Sequence, residues 1–413
     1  MNAIFTRIFL LLSLVAASIA VFGCGGSTVS PSSGTSPAAT LNVQAISVNT
    51  GPSSALGPNF NYVDGAFTSV TVCVPGSTTN CQTISGILVD TGSSGLRILS
   101  SALSVSLPPQ TNSGGNPVAE CAAFTDGITW GPVETADVKI AGEQAGSLPI
   151  QVIGSPTYPT IPADCSSQGV PEDDLQSLGA NGLLGIGQSI QDCGTDCTAS
   201  GGTPTYYTCP SSGCTDTTES LTQQVQNPVA SFATDNNGVI VELPEVPVAS
   251  PQATVSGSLI FGIGTQSNNG LGGATVFGTD AFGDFNTTYN STTYQSYIDS
   301  GSNAIYFLDT STTGIPVCSD VTFWYCPSSA ENILVQNTAQ AGTNGATGPA
   351  TFAVGNADTL TSNGITAAVN GLAGPGSNMP SFDFGLPFFF GRNIYTAFEG
   401  RSTPGGTGPY SAY

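Results

Sequence analysis

Histidine is missing from all 413 residues, and lysine occurs once, at Lys139. The first absence removes Ser-His-Asp and Cys-His nucleophilic catalysis and every histidine-ligated metal site. What is left for acid–base work is carboxylate chemistry or a serine–lysine pair through Lys139. Basic residues are scarce altogether: 5 Lys and Arg stand against 27 Asp and Glu, a formal net charge of −22. So acidic a chain repels polyanions, which excludes nucleic acid as a partner. With few cations, protonation of the carboxylates at low pH leaves little positive charge to repel itself, so the composition tolerates acid. An acidic, Ser/Thr-rich exterior serves solubility equally well.

Long apolar runs are also lacking, with one exception at the N terminus. Arg7 precedes IFLLLSLVAASIAVF and then Gly23-Cys24-Gly25. That run falls short of the roughly 18 apolar residues a membrane span needs and reads as an export signal. Ending in Val-Phe-Gly-Cys, it resembles a bacterial lipoprotein signal, which implies a signal peptide over residues 1–23, cleavage before Cys24 and a lipid on that cysteine. The protein is then exported to the cell envelope and held to a membrane by its lipid, and Gly25 after the cysteine points to the outer membrane. Of 11 cysteines, setting Cys24 aside leaves an even number suited to disulfides in an oxidising compartment. Local spacing suggests Cys73 with Cys81, Cys318 with Cys326, and Cys121 with Cys165. The cluster Cys193, Cys197, Cys209 and Cys214 suits two disulfides of open connectivity or a four-sulfur zinc site, and no metal is expected in an exported chain without histidine.

Residues 24–55, rich in Ser, Thr, Pro and Gly, read as a flexible tether. From about residue 60 short β-type runs alternate with Gly, Asn and Pro turns: SVTVCV, GILVD, ADVKIAG, LPIQVIG, GVIVELP, GSLIFGIG, SYIDS, ATFAV, PFFFG and IYTAFEG among them. Short helices are expected only near 221–233 and 387–394. The chain reads as mostly β, in two lobes over residues 56–265 and 266–413.

A repeated motif supports the division. GILVDTGSSG delivers Asp90 into a Thr-Gly-Ser turn, and SYIDSGSNA delivers Asp299 into a Ser-Gly-Ser turn. Each is followed by an apolar stretch ending at a glycine, NGLLG at Gly185 and FDFG at Gly385, 95 and 86 residues after its aspartate. One such Asp turn is weak evidence, since Asp caps turns of this kind routinely; the ordered pair makes coincidence unconvincing. Two carboxyls held within about 3 Å cannot both ionise cheaply, so they share a proton and titrate as a pair.

At this point the sequence resembles the bilobal pepsin-like aspartic peptidases, from about residue 60 to 400, and within that layout an uncharacterised family of bacterial lipoproteins. The resemblance implies two pseudo-symmetric β lobes with a cleft between them, and Asp90 and Asp299 as the catalytic pair around a shared water. It implies that Gly92 and Gly301 let the backbone approach the carboxyls, that Ser93 and Ser302 bond their outer oxygens, and that Thr91 and Ser300 cross-link the two turns. A hairpin flap would span residues 122–142, with Phe124 where the family carries a tyrosine and Trp130 as its rival. Arg97 stands where a partner tryptophan is usual, free either to stack on Phe124 or to point to solvent. The basic prosegment of the family's precursors cannot be built here, because no Lys or Arg occurs between Arg7 and Arg97. The expected function is an envelope aspartic endopeptidase, monomeric, without cofactor, acting on peptide or protein substrates. The alternative is a catalytically silent peptide-, protein- or glycan-binding lipoprotein on the same scaffold.

Overall fold

In the computed structural model, which describes residues 41–52, 62–362, 367–376 and 381–413, the β-type runs become strands. The expected signal peptide, residues 1–23, and Cys24 lie outside the described residues. The chain enters through β1 (Val43–Val48), whose alternate residues Ile46 and Val48 are buried. This corrects the tether, which the sequence reading extends to residue 55: the Ser/Pro-rich composition ends before VQAISV, and alternation, not overall polarity, marks a strand. β1 pairs antiparallel with Val255–Phe261 along its whole length and with β2 (Ala66–Cys73) at its end. A hairpin joins β2 to β3 (Cys81–Asp90), closed by the Cys73–Cys81 disulfide. After the Asp90 turn come β4 (Ser94–Leu99), the long hairpin strands β5 (Val118–Ala123) and β6 (Ile128–Ile140), then β7 (Glu143–Ile153) and β8 (Gly182–Ile186).

The arrangement around Asp90 recurs around Asp299. β8 inserts between β3, to which it is parallel, and β4, to which it is antiparallel. In the second copy Ser381–Phe384 inserts between Thr292–Ile298, parallel, and Ile305–Phe307, antiparallel. The lobes are joined by a run of six strands: β1, Val255–Phe261, Gly238–Glu242, Asn393–Ala397, Tyr410–Ala412 and Val276–Gly278. Segments from near both ends of the described residues, β1 and Tyr410–Ala412, share that sheet.

Three local expectations are corrected. Residues 221–233 hold two 3-10 turns, Leu221–Gln223 and Val229–Ser231, because Pro228 has no N–H to extend a helix. Residues 387–394 likewise give a 3-10 turn, Leu386–Phe389, followed by the strand Asn393–Ala397. The same turn replaces the strand expected for PFFFG, with Phe388 and Phe389 fully buried. The cysteines form five disulfides: the three expected ones, plus Cys193–Cys197 and Cys209–Cys214, which removes the zinc alternative.

The core behind the second aspartate is built from phenylalanine. Phe384, next to Gly385, packs on Phe285, Phe352, Phe382 and Phe388 with centroids 6.0, 6.0, 5.8 and 4.8 Å away. Each buried ring contributes about 1.5–3 kcal/mol through burial, and its ring contacts add to that. Phe384→Ala is expected to lower unfolding free energy by about 3–5 kcal/mol, measured by urea denaturation of the full chain.

Candidate active site

β3 and Thr292–Ile298 are the middle strands of their sheets; β3 ends at Asp90 and Thr292–Ile298 leads directly into Asp299. Asp90 is in register with Gly185, and the Asp299 amide donates to the Phe384 carbonyl at 3.2 Å. Both glycines at the ends of the inserted strands allow close crossing: a Cβ on Gly185 would lie 2.7 Å from the Ser94 carbonyl carbon, and one on Gly385 only 2.0 Å from the Ala304 oxygen.

Each turn wraps its own carboxylate. Asp90 Oδ1 accepts the Gly92 and Ser93 amides at 2.8 and 3.2 Å, while its Oδ2 accepts the Ser93 hydroxyl. Asp299 Oδ1 accepts the Gly301 amide at 2.7 Å and its Oδ2 the Ser302 hydroxyl at 2.8 Å. The turns are also tied to each other, reciprocally. The Ser300 amide donates to Thr91 Oγ1 (2.9 Å) and the Thr91 amide to Ser300 Oγ (3.1 Å). The two hydroxyls then donate onward, Thr91 to the Ile298 carbonyl (3.3 Å) and Ser300 to the Val89 carbonyl (2.7 Å).

Gly92 and Gly301 pack against the opposite carboxyl. A Cβ on Gly92 would sit 2.5 Å from Asp299 Cγ, and one on Gly301 2.7 Å from Asp90 Oδ1. Only glycine permits this approach, which holds the two carboxyls against each other. Burial, then the charge of Asp90, pushes the Asp299 carboxyl well above its ordinary range, and a hydrogen bond between the two side chains adds to the shift. The pair therefore shares a proton that two separate carboxyls would give up at lower pH.

The dyad lies on the floor of a cleft of about 1560 Å³. Phe124 stands at the turn between β5 and β6, its amide bonded to the Gly127 carbonyl at 2.8 Å, and Ala122 to Asp126 all line the cleft. Trp130 does not compete for the flap role: it is buried, donates its indole N–H to the Tyr158 carbonyl (2.9 Å) and packs edge-on to Tyr207. Arg97 is buried as well, so the solvent-pointing option is excluded. Its Cζ lies 5.6 Å from the Phe124 ring centroid, and its Nη2 lies 2.6 Å from Glu120 Oε1 and 3.2 Å from Asp192 Oδ2. Tyr206 donates to Asp192 at 2.7 Å and accepts the Val225 amide. With two carboxyls on one guanidinium, burial first and then the Glu120 charge raise Asp192 well above the usual carboxylate range. A charged network thus joins the strand after the Asp90 turn to the strand that leads into the Phe124 turn.

Two residues beside the dyad escape a reading of the motif alone. Asp383, in register with Tyr297, lines the cleft and is only 6% exposed. Burial first, then the Asp90 charge, pushes its carboxyl up to about 8 against hydrogen bonds from Ser302 and Tyr297. The signal was available: FDFG carries an acid where its counterpart, GLLG, carries Leu183. Tyr62 also lines the cleft, its ring edge-on to Phe67. The following residues cross to the other lobe, where the Asp64 amide donates to the Ala367 carbonyl and Asp64 Oδ1 accepts the Val369 amide, both at 2.7 Å.

Two β lobes, each ending its middle strand in an Asp-(Thr/Ser)-Gly-Ser turn above a common cleft, make this a pepsin-like fold. The aspartic proteinase from Irpex lacteus superposes with a TM-score of 0.51 at 14% identity, covering 90% of this chain and 96% of that one. The chain belongs to the family described as Protein of unknown function (DUF3443), matched over residues 38–413. No curated protein matches it significantly in sequence.

Arg97→Met is expected to destabilise the fold by about 3–5 kcal/mol in urea, since it strands Glu120 and Asp192 as buried carboxyls without a counter-charge. A second expectation follows from the raised carboxyls. The folded chain keeps protons on Asp299 and Asp383 that the unfolded chain releases near pH 4, so their contribution is full below that pH and is lost as pH climbs toward about 8. The slope is at most about 1.4 kcal/mol per pH unit per group. Urea midpoints should fall between pH 4 and pH 8, and Asp383→Asn should flatten the decline.

Proposed function

We propose that the protein is an aspartic endopeptidase that hydrolyses peptide bonds with a water activated between Asp90 and Asp299. The observation that carries this reading is the intact dyad: two carboxyls each wrapped by its own turn and each faced by the other turn's glycine. A structural turn needs one capped aspartate, not two pressed together at the cost of their mutual repulsion.

The chemistry assigns unlike roles to the pair. The proton held on Asp299 polarises the scissile carbonyl by donating to its oxygen. The Asp90 carboxylate, restrained by the Ser93 hydroxyl and two amides, takes a proton from the water as its oxygen attacks the carbonyl carbon. The tetrahedral intermediate then breaks its C–N bond as Asp90 returns the proton to the leaving nitrogen and Asp299 recovers its own. No covalent intermediate is required. In the envelope setting the sequence describes, with five disulfides fitting an oxidising compartment, the lipid on Cys24 would anchor a monomeric enzyme to the outer membrane. Among the described residues no helix is long and apolar enough to cross a membrane.

One observation favours the alternative, a binding protein on this scaffold. Phe124 brings no hydroxyl to the flap, and Arg97 beneath it is committed to Glu120 and Asp192. The experiment is cleavage of a mixed peptide library between pH 2.5 and 7, with the Asp90→Asn and Asp299→Asn variants alongside. The expected result is a bell-shaped acidic profile, since activity needs one proton on the pair, and a loss of about 10³-fold or more in each variant with the fold retained. Cleavage that persists in both variants, or none by the folded parent, rejects the peptidase reading.

A further inference from the structure

The repeat that builds the dyad is symmetric in its backbone and asymmetric in the side chains beside it. Leu88 stands two residues before Asp90, in register with Leu183. Tyr297 stands two residues before Asp299, in register with Asp383. Successive side chains on a strand alternate faces, so residues two apart share one, and all four of these residues line the cleft. On one side of the dyad the cleft therefore presents a leucine pair, continuous with an apolar cluster that includes Leu178 and Phe124. On the other it presents a phenol and a carboxyl.

Asp383 is more than nine-tenths buried, and its Oδ1 has no hydrogen-bond partner. A buried acceptor left unmade is costly, and a donor brought by a ligand would relieve it. Nothing resident supplies the counter-charge. Tyr297 faces Asp383 from one neighbouring strand and Tyr306 from the other, with Asp90 and Asp299 close by, and Arg97, the one cation among the described lining residues, is already held by Glu120 and Asp192. Asp284, whose charge reaches Tyr297, adds a further carboxyl in the same part of the cleft.

We propose that the cleft is two-sided, taking an apolar side chain beside Leu88 and Leu183 and a lysine or arginine beside Tyr297 and Asp383, with Asp383 as the counter-charge. This rests on the cleft being a peptide site and names the class of peptide it selects. A cation arriving at Oδ1 favours the ionised carboxyl and pulls its proton off. Because burial otherwise keeps that proton in place to about pH 8, the preference for a basic residue strengthens as pH rises across the acidic range.

The test uses the full chain carrying Asp90→Asn, so that bound peptides persist, and calorimetry with three octapeptides: an all-apolar centre, a lysine on one side of the central bond, and the same lysine moved to the other side. One lysine peptide is expected to bind about tenfold more tightly than the other, the gap being wider at pH 6 than at pH 4. In the Asp90→Asn/Asp383→Leu protein the gap should vanish, and the apolar peptide should gain. Because the two lysine peptides carry equal charge, attraction to the acidic surface as a whole cannot produce that difference. Equal binding of the two, a gap that survives Asp383→Leu, or failure of all three to bind overturns the inference. Cleavage of the same peptides by the unsubstituted chain reads the peptidase proposal separately: a positional lysine preference without cleavage would sink catalysis and leave the two-sided cleft standing, whereas cleavage without the preference does the reverse.

Discussion

The reciprocal bonds between Thr91 and Ser300 are the constraint on which the rest of the molecule depends. Two carboxyls a few ångströms apart in a low-dielectric cleft repel by several kcal/mol unless a proton is shared between them. The turns must therefore be held from outside the pair. Each hydroxyl bonds the other turn's amide and a carbonyl of the other lobe's middle strand, so separating the carboxyls would break four hydrogen bonds at once. Behind them, the six strands that include β1 and the C-terminal strand Tyr410–Ala412 fix one lobe against the other. The glycines complete the constraint by making room, which is why the motif tolerates Ser300 for threonine yet leaves no space for a side chain at Gly92 or Gly301.

The arginines among the described residues are spent on structure. Arg97 locks the strand after the first turn to the strand of the flap. Arg392 lies over the Phe388 ring, 4.3 Å from its centroid, and donates to the Phe388 and Thr351 carbonyls, while Arg401 donates to the Ala230 carbonyl. The potential in the cleft is consequently set by carboxyls. Where a flap tyrosine and its tryptophan would form a neutral hydrogen-bonded pair, this chain uses a buried charge network with two acids for one base. Its Phe124 is placed by packing and by cation–π contact rather than by a hydroxyl.

What the sequence made legible is what repeats or lies close along the chain. The two Asp turns, their glycines and their serines could be read because the second copy confirmed the first. Three disulfides could be read because their spacing is local, and Cys193–Cys197 with Cys209–Cys214 follow the same locality once the zinc alternative is gone. The Arg97 network could not be read: Glu120 and Asp192 lie 23 and 95 residues away, and an ion pair leaves no periodic trace. β1 was hidden by the composition of its surroundings, since the step from tether to strand happens within a few residues. The helix expected at 221–233 gave way to two 3-10 turns on either side of Pro228, and the one at 387–394 to a single 3-10 turn, Leu386–Phe389, that ends before Gly391 in the left-handed region.

The asymmetry beside the dyad follows from what a symmetric backbone cannot do. A peptide has a direction, and its scissile bond has an acyl side and an amine side, so a site with perfect two-fold symmetry would bind it equally well in either sense. The dyad needs near-symmetry to share a proton, which leaves side chains outside the turns to supply the sense. The positions free to do so are those that share the face of the two aspartates without touching the turn bonds, two residues before each aspartate and two before each closing glycine. In one lobe these are Leu88 and Leu183, in the other Tyr297 and Asp383, and each pair is matched in register across parallel strands. Asp383 also shares the Ser302 hydroxyl with Asp299, so on the proposed reading the residue that would break the symmetry of recognition is tied to the proton the pair shares.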